Sequence, residues 1–150
     1  MFVYSYEPVT KPIKPCSEDE ILLYYRKIFD TLQLATECII VSLIYLERMI
    51  LLSKVEVRFS NWRSLVFTSI LLASKFWEDI CFWNVDYVDA LKLYPLRSVN
   101  RMEAEFISLC NYKCYVSAQM YQTYYDAIKE RSLRNSGRNG SLEAPVIKYH

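Results

Sequence analysis

Two ionisable side chains, Lys75 and Glu103, stand in strongly apolar runs, SILLASKFWED and NRMEAEFISL. A cation and a carboxylate carried by core-forming helices can exchange charge-assisted hydrogen bonds with something outside the domain. The plainer reading has Lys75 complementing the negative C-terminal end of its helix and Glu103 as an ordinary solvated residue. Catalysis needs more than this pair. The remaining acids fall at helix starts (Glu18, Asp19, Asp86) or on solvent-facing positions such as Glu56 and Asp89, so no two carboxylates converge on a cleft. A Cys–His nucleophile would need the sole histidine, His150, to fold back from the last position. Cys110 and Cys114 are spaced for a metal pair, but the further ligands are missing. No catalytic residue, metal site or cofactor is expected.

Glycine usage excludes more. Both glycines, Gly137 and Gly140, lie near the C-terminus, so residues 1–136 have none. Backbone cradles for phosphates need glycine for positive φ and close ligand approach, so neither a Walker loop nor a dinucleotide fingerprint can be written. The charge is nearly balanced at +1, without the basic footprint of a nucleic-acid binder. The uncharged apolar run Cys38–Leu46 is far short of the roughly 18 residues that span a bilayer. No secretory signal or myristoylation site is read at the start, where Phe2 follows Met1. Five unevenly spaced cysteines suit a reducing, intracellular setting, cytoplasmic or nuclear, with thiols packed as small hydrophobes.

The elements that must carry Lys75 and Glu103 are helices. With 53% hydrophobic and 15% aromatic residues, the chain can bury one substantial core. Residues 1–17 contain three prolines and read as an extended arm. Ser17 caps a first helix with apolar residues at Ile21, Tyr24, Tyr25, Ile28, Phe29 and Leu32. A second helix opens at Thr36, runs to about Leu52 and is apolar over most of its circumference, as a buried central helix must be. Lys54–Phe59 alternates like a strand but has no visible partner, so a linker is favoured. Ser60 or Asn61 caps a third helix, Trp62–Phe76. Asn84 caps a fourth, Val85–Leu91; Pro95 and Ser98 introduce a fifth, Val99–Cys110; Ser117 introduces a sixth, ending near Arg131. The expectation is an all-α bundle over residues 18–131, with a flexible tail from 132 to 150.

Three ordered blocks resemble the cyclin family. TECIIVSLIYLERMIL is similar to the second helix of a cyclin box, with its ending at Tyr45–Leu46–Glu47–Arg48. NWRSLVFTSILLASKFWED is similar to the third, with Leu-Ala-Ser-Lys at Leu72–Lys75 and acids at Glu78 and Asp79. RMEAEFISLCNYKCYV is similar to the fifth. Phe76–Trp77–Glu78–Asp79 and Trp83–Asn84–Val85–Asp86–Tyr87 most resemble cyclin Y and the Pho80-like cyclins.

The resemblance implies a cyclin-box bundle of five core helices plus a flanking one. It also implies a regulatory subunit that binds and activates a cyclin-dependent kinase, of Pho85-like or cyclin Y-binding type. In the family, the residues matching Lys75 and Glu103 hydrogen-bond the kinase around its αC helix. Phe76, Trp77, Glu78 and Asp79 would extend that contact, and Trp83, Asn84 and Asp86 would form a subfamily docking segment. Trp62, Trp77 and Trp83 also suit helix packing, and one of the adjacent pair Phe76 and Trp77 should be exposed. The basic-hydrophobic docking signature of cell-cycle cyclins is not apparent in the first helix, and neither a second box nor the membrane anchor of cyclin Y is seen. A cyclin-fold scaffold for a non-kinase protein stays open as the alternative.

Overall fold

A computed structural model of the chain describes residues 17–80 and 82–137. Residues 1–16 of the expected arm, residues 138–150 of the expected tail, and Cys81 lie outside them. Six helices follow in order: α1 (Glu18–Leu32), α2 (Glu37–Ser53), α3 (Trp62–Trp77), α4 (Asn84–Leu91), α5 (Leu96–Leu109) and α6 (Ala118–Gly137). No strand occurs among the described residues. The all-α expectation stands.

Local chemistry sets the boundaries. Ser17 Oγ accepts the Glu20 N–H at 3.3 Å, and Glu18, Asp19 and Glu20 occupy the positive first turn of α1. The stretch 54–61 is a linker closed on itself. Asn61 accepts the Arg58 N–H at 2.7 Å and donates to the Glu56 carbonyl at 3.0 Å. Helix α5 begins at Leu96, earlier than expected, because Pro95 supplies the fixed φ of a helix entry and its carbonyl accepts the Val99 N–H. Without glycine, three helices end on other residues in the left-handed region: Gln33 (φ 52°), Lys54 (φ 57°) and Lys92 (φ 52°). Each such residue costs on the order of 1 kcal/mol against a glycine at the same place.

The core sits where α2 and α3 pack along each other, with α5 and α1 against α3. Helix α2 buries Cys38, Val41, Ile44, Tyr45 and Met49, and α3 buries Trp62, Leu65, Phe67, Ile70, Leu71 and Ala73. Helix α5 is different. It is amphipathic, burying Val99, Met102 and Phe106 along one stripe, so its other face is free to carry charge. Each fully buried aliphatic or aromatic side chain contributes about 1.5–3 kcal/mol.

The chain divides into two compact units, Met1–Val116 and Ser117–His150. The first holds α1–α5. In the second, α6 starts with Ser117 Oγ accepting the Met120 N–H at 3.1 Å. It runs to Gly137, past the expected end near Arg131, and Glu130 and Arg134 pair across one turn at 3.6 Å. Propensity and that pairing outweigh the loss of apolar period there.

Candidate functional site

Lys75, in the last turn of α3, meets Glu103 on the solvent-side flank of α5. Lys75 Nζ donates to Glu103 Oε1 at 2.6 Å, and the two side chains are 26% and 20% exposed. A third residue completes the group. Asn84, the first residue of α4, accepts from Lys75 Nζ through Oδ1 at 2.6 Å. Its Nδ2 donates to Glu103 Oε2 at 2.7 Å and to Asn100 Oδ1 at 2.8 Å. Three helices thus contribute an ammonium, an amide and a carboxylate to one closed ring. The amide orientation is determined by its partners, because the oxygen must face the ammonium and the nitrogen the carboxylate.

The ring has unused valence. The Lys75 ammonium has three N–H donors and spends two of them within the ring. Each Glu103 oxygen accepts one bond there, which leaves acceptor capacity on both. A donor and a carboxylate therefore stand side by side, partly open to solvent, on a rigid base.

That base is set one residue away on α3 and one turn away on α4. Ser74 and Tyr87 are buried and hydrogen-bonded at 2.6 Å, so the end of α3 is clamped to α4 beneath the ring. Tyr87 and Asn84 lie one helical turn apart on α4, so the clamp beneath also sets where Asn84 enters. Asn84 was expected as a helix cap, but its side chain is spent on the ring. Trp83 is the cap residue instead, and Asp86 Oδ2 accepts the Trp83 N–H at 2.7 Å. A carboxylate in the first turn can satisfy that donor from inside the helix.

Exposed apolar side chains flank the ring residues along the chain and make up a rim. Phe76 and Trp77, directly after Lys75, are 42% and 40% exposed, Ile80 is 72%, and Trp83, directly before Asn84, is 79%. Both members of the Phe76–Trp77 pair therefore reach solvent, where one was expected to. Phe76 still rests its edge on Tyr45, with ring centroids 6.5 Å apart. Trp62 is core, whereas Trp83 projects outward. An open groove of about 550 Å³ lies between Leu32 of α1 and Tyr87 and Asp89 of α4, with Phe82 in its wall.

The acids named with the rim take different places. Asp79 and Asp86 are exposed. Glu78 turns inward, accepting the Ala35 N–H at 2.8 Å and the Cys38 thiol at 3.6 Å. It satisfies donors at the start of α2, where a carboxylate also complements the helix dipole. Burial, and next the Glu78 charge, push the Cys38 thiol up to about 12.

Sequence reasoning missed Asn100, the Ser74–Tyr87 clamp and the role of Arg48. Arg48 donates to the carbonyls of Lys113 and Tyr115, and Tyr45 Oη donates to the Cys114 carbonyl at 2.7 Å. The Tyr-Leu-Glu-Arg ending was the available signal. Its tyrosine and arginine sit three apart, on one helix face, and both hold the exit from α5.

No described helix is long and apolar enough to cross a membrane. No solved structure matches the chain. Residues 16–114, well over half of the 150, match the family model described as Cyclin. The matched stretch contains α1–α5 and every member of the ring. By that match, with its all-α core, the chain belongs to the cyclin family of regulatory proteins.

Proposed function

We propose that this cyclin box binds a cyclin-dependent kinase and activates it by holding the kinase αC helix inward. The observation that carries the reading is the Lys75–Asn84–Glu103 ring, with spare donor and acceptor capacity inside an apolar rim. Interfaces of this kind combine desolvated aromatic anchors with a few polar groups that fix register. Lys75 and Glu103 supply the polar contacts. Phe76 and Trp77 supply apolar area, Asp79 charge at the rim, and Trp83 and Asp86 the docking segment. Glu78 acts indirectly, by holding the start of α2. The partner is of Pho85-like or cyclin Y-binding type, in keeping with the Trp83–Tyr87 wording.

The chain performs no chemistry in this reading. It binds one kinase conformer more tightly than the other and shifts the population towards it. In that conformer the kinase's own Lys–Glu ion pair forms and its phosphate site is complete. A shift from mostly inactive to mostly active needs about 5 kcal/mol of differential affinity, within reach of one interface with a few anchors.

The test is titration calorimetry of the chain against a panel of purified cyclin-dependent kinases, with peptide phosphorylation assayed in parallel. One kinase should bind and gain activity. The exchange Lys75→Glu with Glu103→Lys retains an ion pair between α3 and α5, so helical content should survive while binding is lost. A panel without binders, or an exchanged variant that binds as the parent does, would sink the reading.

A further inference from the structure

We infer that Asn84 is the positioning residue of the partner-binding pair, acting through Lys75 and Glu103 and not as a mere helix-start residue. The inference rests on the kinase-binding reading above. Three observations carry it. Asn84 bonds both charged residues at once, at 2.6 and 2.7 Å. Its remaining amide hydrogen is held by Asn100 at 2.8 Å, so the amide cannot rotate without breaking bonds on both sides. Its neighbour Trp83 is 79% exposed, so the same two-residue step sends one side chain into the ring and the other into the rim.

The consequence is geometric. An isolated Lys–Glu pair on two helices is loose, because both side chains have several rotatable bonds and a surface pair gains little by choosing one geometry. Asn84 wedges into the pair from a third helix and takes one donor from the lysine and one lone pair from the carboxylate. Their remaining valences then point away from α4. Pre-organising a polar pair removes ordering cost at the moment of binding. It also couples the pair to Trp83, since any shift of Asn84 moves both.

Asn84→Ala removes the wedge but leaves the Lys75–Glu103 bond available. Affinity for the kinase selected from the panel should fall roughly ten- to a hundredfold, as expected for hydrogen bonds to charged groups. Circular dichroism should be unchanged. A second variant, Asn100→Ala, leaves Lys75, Asn84 and Glu103 in place and removes only the acceptor that holds the Asn84 amide. Affinity should fall severalfold with thermal stability unchanged, a separation that a merely structural residue would not produce.

Parent-like affinity in folded Asn84→Ala would overturn the inference, as would parent-like affinity in Asn100→Ala. Failure of the underlying reading looks different. In that case the Lys75→Glu, Glu103→Lys protein also binds like the parent, or no kinase binds at all.

Discussion

Two corners of the bundle each use a cation from a central helix, and they use it in opposite ways. At the first, Arg48 of α2 donates to the carbonyls of Lys113 and Tyr115, beside the Tyr45–Cys114 bond. These acceptors belong to the chain leaving α5, where Asn111 and Tyr112 are both left-handed, at φ 50° and 58°. Two such residues in succession cost on the order of 2 kcal/mol or more, and the side-chain bonds hold the turn against that strain. At the second corner Lys75 meets side chains from two other helices, its partners keep spare acceptors, and apolar side chains stand exposed around it. Backbone acceptors make a latch, and side-chain partners with valence to spare make a docking point. Charge alone does not separate the two.

The sharpest way to break this comparison is to alter both corners and read stability and binding separately. The Lys75→Glu, Glu103→Lys exchange should cost the chain a hundredfold or more in kinase affinity, about 3 kcal/mol, with unfolding changed by less than about 1 kcal/mol. Arg48→Ala should do the reverse. Loss of the Nη1 bonds to two carbonyls should lower unfolding free energy by about 2 kcal/mol in a denaturant titration, while the folded fraction binds as before. Arg48→Lys should recover only part of that loss, because the flexible, more strongly hydrated ammonium is less pre-organised than the planar guanidinium.

A smaller effect is expected at Glu78, which lies close to the docking corner in sequence but behaves like the latch. Glu78→Ala leaves the Ala35 N–H without its acceptor and should lower stability by about 1 kcal/mol, with little change in intrinsic affinity. If binding falls far more than stability, Glu78 belongs to the docking corner and the division drawn here is wrong.

The thiols near the two corners give the mildest test. Burial pushes Cys38 up to about 12, and burial with the neighbouring Cys114 pushes Cys110 up to about 11, from an ordinary 9.0. Both thiols stay protonated in the folded chain after the unfolded chain has begun to release its protons. Their contribution is therefore complete below about pH 9, and stability should fall as pH rises from about 9 towards 12. At pH 8 alkylation followed by peptide mapping should modify Cys114 before Cys38 and Cys110, with no stability change. Equal rates would mean that the two corners open readily in the native state.

Much of this was legible before any coordinates. The all-round apolar pattern of Cys38–Leu46 marks α2 as central because only a buried helix can afford it. Ser17 followed by three acids marks the start of α1, and the absence of glycine before Gly137 removes whole enzyme classes. Lys75 and Glu103 stand out because each interrupts an apolar run. Asn84 did not stand out in the same way. An asparagine ahead of Val85 reads as a helix cap, and only the approach of α3 and α5 shows that its amide is engaged elsewhere. Helix ends were equally obscure, since Gln33, Lys54 and Lys92 carry no local signal for the left-handed region.

Sequence by itself determined the helices, the burial of α2 and α3, and which charged side chains lack an apolar reason to be where they are. Those are consequences of periodicity and composition, which act along the chain. The tertiary structure decided which of those charges meet. The ring of Lys75, Asn84 and Glu103 joins residues 9 and 28 positions away from the lysine. It forms because buried packing, including the Ser74–Tyr87 bond, brings the end of α3, the start of α4 and the middle of α5 to one point. Pairing across such separations is fixed by the packing of whole helices, which no local window of sequence contains.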